Sequence, residues 1–131
     1  MVVVIIVTVN RNIDNVSSFK EFIALYKDDI YNRLVSYFPT SGPAEFNKMA
    51  MTYTERKGQY RRPSYIMLWN RLYGGVDEDA VLPAAAQQAS EDYFLMHDDN
   101  NIMGSRYGAA LTGLCKSISY STLLAAGKPM A

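Results

Sequence analysis

Apolar residues recur every three or four positions near the start of the chain. Phe19, Phe22, Ile23, Tyr26, Ile30, Leu34, Val35 and Phe38 form a single stripe, the spacing of a helix that buries one face. Ser18 with Glu21 is the capping-box pattern that opens such a helix. Pro39-Thr40-Ser41-Gly42-Pro43 closes it, because proline and glycine favour a turn. A second helix is predicted from about Ala44 to Arg56, with Phe46, Met49, Ala50 and Tyr53 inward. A short apolar helix from Ser64 to Tyr73 carries Trp69 and ends at Gly74-Gly75. Asp77, Glu78 and Asp79 then stand where the next helix should begin, a place that the macrodipole favours for acids, so capping is their expected role. Pro83, inside the following pattern, predicts a kink or a late start.

From Ala84 the pattern predicts a long, largely buried helix that contains Gln87-Gln88-Ala89-Ser90-Glu91-Asp92-Tyr93-Phe94-Leu95-Met96-His97-Asp98-Asp99. Steps of three and four place Gln88, Glu91, Asp92, Leu95, Asp98 and Asp99 on a common side. Acid on one stripe, with Ala, Tyr, Phe and Met elsewhere, is not a simple solvated face, so the acid needs a task. After Asp99 the chain holds no Asp or Glu, while Arg106, Lys116 and Lys128 give it positive charge. Tyr107, Ala110, Leu111, Leu114 and Ile118 keep a helical period there. Gly, Ser and Thr lower the propensity, so a weak or partner-dependent helix is expected.

The opening Met1 to Val9 is a run of β-branched residues that favours a strand, and Asn10 to Asn15 reads as a polar linker. The resulting organisation is a strand-like extension and linker over 1–15, then one helical domain over 16–131 with a divergent tail from 103.

Composition narrows the function classes. The 131 residues suit one domain, and 13 basic against 13 acidic residues give no bulk electrostatic reason for nucleic acid or an anionic membrane. The lone Cys115 excludes an internal disulfide and has no metal-ligand spacing, which fits a reducing, cytoplasmic setting and a small buried apolar role. No run approaches the roughly 18 apolar residues of a membrane span, and the start lacks the basic region and cleavage site of a signal peptide.

The first chemically suggestive stretch is Arg56-Lys57-Gly58-Gln59-Tyr60-Arg61-Arg62-Pro63, four cations around a glycine ahead of a helix start. Backbone donors at a helix N-terminus beside Arg and Lys suit phosphate oxygens. A solvated basic turn is the alternative.

A basic Gly-x-x-x-Arg-Pro turn, a short helix, Gly-Gly, an alanine-rich helix and then His-Asp-Asp together resemble the isoprenyl diphosphate synthase (polyprenyl synthetase) family. The resemblance is closest to archaeal short-chain members, through Tyr53-Thr54-Glu55-Arg56-Lys57-Gly58, Leu72-Tyr73-Gly74-Gly75 and Leu82-Pro83-Ala84-Ala85-Ala86-Gln87-Gln88-Ala89-Ser90-Glu91-Asp92. It covers roughly Phe19 to Asp99. It implies an all-α, isoprenoid-synthase-like antiparallel bundle in which Mg²⁺ on Asp-rich motifs holds an allylic diphosphate, whose cation isopentenyl diphosphate attacks. By that resemblance Asp98 and Asp99 are the metal and catalytic acids. Lys57, Gln59, Arg61, Arg62 and Glu91 become candidate isopentenyl diphosphate contacts, and Tyr93 and Phe94 the floor that sets product length. Hard Mg²⁺ bridging carboxylates to phosphates explains the acids. Departures are equally plain: Gln59 stands at the motif's lysine, Glu91 where many members have His, and Ile102 or Gly104 where a third acid is expected. The expected function is a short-chain prenyltransferase or an incomplete form of it. The alternative is a non-catalytic or degenerate helical subunit that acts by homo- or hetero-association.

Overall fold

The computed structural model describes residues 10–103 and 108–127, with the side chains of Phe46, 99–103 and 108–111 outside that description. The strand expected over Met1 to Val9, and Lys128 to Ala131, lie outside the described residues. Six helices and no strand occur among those described: α1 (Phe19–Val35), α2 (Ala44–Ala50), α3 (Thr52–Glu55), α4 (Arg61–Leu72), α5 (Asp77–Met103) and α6 (Gly108–Ala126).

The Ser18 hydroxyl accepts from the Glu21 amide at 3.2 Å, and the Glu21 carboxylate accepts from the Ser17 amide at 3.0 Å. Two otherwise orphaned donors at the start of α1 are thereby satisfied. Phe22, Tyr26, Ile30 and Leu34 are buried, four residues apart, so the stripe read from the sequence is the one that packs. Fully burying an aliphatic side chain such as Ile30 or Leu34 is worth about 1.5–3 kcal/mol.

The long helix α5 is the hub, packing on α6, α4, α1 and α3. Ala80, Ala84, Ala85, Ala86 and Ala89 are buried along it, and their small side chains let neighbouring helices approach. The helix begins at Asp77 and continues through Pro83, so the proline does not delay its start. It removes one N–H from the ladder.

Two expectations are corrected. The helix expected over 44–56 is divided at Met51 (φ −80°, ψ −6°). There the inward residues are Ala50, whose carbonyl accepts from the Cys115 thiol at 3.7 Å, and Thr54, with Tyr53 partly buried against the core as expected. Met49 lies on the outside. The segment after Gly108 is no weak appendage: α6 runs 19 residues, and Cys115, Ile118, Ser119 and Thr122 are buried. Ser119 meets Ser90 across 3.0 Å, and α5 is its partner within the chain. Tertiary packing of this kind outweighs poor intrinsic propensity.

Candidate functional site

The basic turn before α4 sends its side chains three ways. Lys57 and Tyr60 take left-handed backbone angles (φ 46° and 55°), which cost a non-glycine residue about 1–2 kcal/mol each. Lys57 Nζ lies 3.4 Å from Asp28 and 4.2 Å from the Tyr31 ring centre. Arg62 Nη1 reaches Glu91 Oε1 at 3.4 Å. Gln59 and Arg61 instead line a groove against α1, about 670 Å³ in volume, with Phe19, Lys20, Ile23, Ala24, Lys27 and Tyr65. The expected substrate contacts are thus divided: Arg62 meets Glu91, Gln59 and Arg61 share the groove, and Lys57 stands apart with Asp28. Tyr60 itself is buried, its hydroxyl has no described protein partner, and burial pushes its pKa up.

On α5 the expected single acid face divides. Gln88, Asp92 and Met96 point inward and are buried, whereas Leu95 and Asp98 are exposed, with Glu91 between. Positions 88, 92 and 96 form one row; 91, 94, 95 and 98 form another, turned away from it. Asp92 accepts from the Thr54 hydroxyl at 2.9 Å and from Gln88 Nε2 at 3.0 Å. Burial pushes its pKa up to about 6, against the lowering effect of those two hydrogen bonds. Cys115 lines the same narrow space, and burial raises its thiol to about 11.

The outward row carries Glu91, Phe94, Leu95 and Asp98. Phe94 is 62% and Leu95 52% exposed, and the Asp98 side chain is 74% exposed, 3.7 Å from His97 Nδ1. Tyr93 packs at the edge of the core while Phe94 leans against it from the surface, ring centres 5.2 Å apart. The Asp99 side chain is outside the described residues. Among the described residues no three His, Cys, Asp or Glu side chains gather to hold a metal ion.

A second polar centre sits at the other end of α5, where sequence reasoning saw capping alone. Asp77 is buried and accepts from the Tyr26 hydroxyl (2.8 Å), the Arg11 amide (2.9 Å) and Arg71 Nη1 (3.3 Å). Its own amide donates to Asn10 Oδ1 at 2.7 Å. Arg71 also donates to the Arg11 carbonyl at 2.7 Å. The Asn10–Arg11 segment, read from sequence as linker, is pinned here. Burial and the Asp77 hydrogen bond raise Tyr26 to about 12. Gly75 is favoured beside this centre, because a Cβ there would stand 2.9 Å from the backbone carbonyl of Asn70 and displace its side chain.

Set against models of protein families, curated proteins and solved structures, the chain matches none. No helix among the described residues is long and apolar enough to cross a membrane.

Proposed function

We propose that this chain is a diphosphate-handling wall of the short-chain isoprenyl diphosphate synthase type. On this reading it presents Arg62, Glu91 and Asp98 to an allylic diphosphate and isopentenyl diphosphate, and a facing helical wall completes the site. The observation that supports the reading is one contact. Arg62 of the basic turn and Glu91 of α5, 29 positions apart in the chain, meet at 3.4 Å beside the open row 91–94–95–98.

That row has the chemistry the reading needs. Arg62 binds phosphate oxygens bidentately, Asp98 lies two helical turns beyond Glu91 at the solvent edge, and Phe94 with Leu95 supplies apolar surface for an isoprenoid chain between them. Bulky apolar walls keep water from a carbocation. Glu91 holds Arg62 in place, and a diphosphate would compete with it. Asp98 and Asp99 are the residues that would hold Mg²⁺, which would supply charge neutralisation of the diphosphate leaving group.

The exposed apolar surface favours a second reading, a non-catalytic association subunit. Phe94 and Leu95 on α5, and Tyr120, Leu123 and Leu124 on α6, are all exposed, and apolar side chains so placed can serve a partner. Radiolabelled isopentenyl diphosphate, geranyl diphosphate and Mg²⁺ separate the two. Prenyl product from the purified chain, or from the chain added to an Asp-motif-inactivated full-length synthase, and lost in Asp98→Ala, supports the wall. Association with that synthase without product, unchanged by Asp98→Ala, selects the association subunit and rejects the wall.

A further inference from the structure

Five cations are neutralised within the chain: Arg11, Arg33, Lys57, Arg62 and Arg71 each meet a carboxylate. The groove between α1 and the start of α4 differs. Lys20, Lys27 and Arg61 line it and no carboxylate does. A second cleft, about 510 Å³, shows what an internally balanced site looks like here. Its Arg11 and Arg33 face Asp29, Asp77 and Glu78, and both cations are paired.

The rest of the groove is apolar. Phe19 and Tyr65 stack with ring centres 4.6 Å apart, and Ile23 and Ala24 continue that floor along α1. Lys27 Nζ rests 5.4 Å from the Tyr60 ring centre, a cation–π contact that fixes its position without cancelling its charge. Helix α4 opens at Arg61 with Tyr60 as N-cap and no side-chain capping bond. The positive end of its dipole therefore lies at Arg61 and adds to the three side chains. The volume, about 670 Å³, is that of small-molecule clefts, which run roughly 300–1,000 Å³.

We infer that this groove binds an anionic amphiphile, a phosphate-type head on Lys20, Lys27 and Arg61 with an aliphatic tail along Phe19, Ile23, Ala24 and Tyr65. Arg61 suits a bidentate grip on the head while the two lysines act as point charges. The binding needs neither a metal nor the α5 row, so it stands apart from the wall proposed above.

Titration calorimetry of the full chain with dodecyl phosphate, kept below its micelle concentration, tests it. Saturable binding is expected, with Kd rising at least tenfold in the Lys20→Gln, Lys27→Gln, Arg61→Gln triple variant and several-fold in Ile23→Ser. Inorganic phosphate, lacking the tail, should bind at least tenfold more weakly. Capture on phosphatidylcholine vesicles containing phosphatidic acid, lost in the triple variant, would place the same head chemistry in a bilayer and also support the site. A triple variant within twofold of the native Kd, or equal competition by dodecyl maltoside, overturns it. Loss of binding on adding EDTA or in Asp98→Asn overturns it too, by moving the ligand to α5. Circular dichroism checks that each variant keeps its helices.

Discussion

The two ends of α5 are built on opposite plans. At its start Asp77 is buried, with a cation, a phenol and a backbone amide all directed at it. From 91 to 98 the same helix shows solvent an acid, two apolar side chains and another acid. Between them lies Asp92, buried like Asp77 but with only the neutral Thr54 and Gln88 as partners. A buried carboxylate is tolerable when charge and hydrogen bonds surround it, and strains its ionisation when they do not. The first end is complete within the chain, the middle is a compromise, and the far end is open to solvent, its acids meeting only Arg62 and His97 at the surface.

The sharpest way to break that contrast is at Asp77. Asp77→Ala leaves the buried Tyr26 hydroxyl without its acceptor and Arg71 without its carboxylate, and should cost about 3–5 kcal/mol in urea unfolding, the range for breaking a buried pair. A cost under 1 kcal/mol would mean the first end is no more finished than the second.

Asp92 comes next. Its folded pKa, about 6, lies above the ordinary 3.8, so the folded state holds the proton more tightly than the unfolded chain. Stability from this group is therefore full below about pH 4 and is lost as pH rises through 6, roughly 3 kcal/mol in all at 1.36 kcal/mol per pH unit. Asp92→Asn should unfold about 2–3 kcal/mol later than the native chain at pH 8 and show no gain at pH 4. Gln88 can accommodate the new amide, because its Oε1 lacks a partner and can accept from it. A native chain as stable at pH 8 as at pH 4 would remove the compromise from the account.

The open end should be indifferent. Phe94→Ser with Leu95→Ser is expected to change unfolding free energy by no more than about 0.5 kcal/mol per site, as exposed substitutions do. Arg62→Ala should cost about 0–1 kcal/mol, since its bond to Glu91 is at the surface and its side chain is 73% exposed. Losses of several kcal/mol in urea unfolding would show that this row is structural.

How much of this was legible depended on the distance between partners. The α1 stripe and the capping pair at Ser18 and Glu21 follow from local spacing, the burial of Cys115 from the habit of free cysteines, and the all-helical class was what the resemblance implied; the described residues agree with each. The acid stripe misled because steps of three and four were merged into one face. Residues 88, 92 and 96 follow one row and 91, 95 and 98 another, and packing against α3 and α6 draws only the first inward. Asp92 finds Thr54 across 38 positions and Asp77 finds Tyr26 across 51, which no periodicity encodes. The basic turn was visible as charge. Its division between Asp28, Glu91 and the α1 groove was not, because two left-handed residues set those directions.

The most direct test of the wall is a ¹H–¹⁵N titration of the chain with geranyl diphosphate, with and without Mg²⁺. The account predicts Mg²⁺-dependent shifts at Arg62, Glu91, Leu95 and Asp98, abolished by Asp98→Asn, with Asp77 and Tyr26 unmoved. Shifts along 91–98 that ignore Mg²⁺ and Asp98→Asn, or none there at saturating ligand, would contradict it.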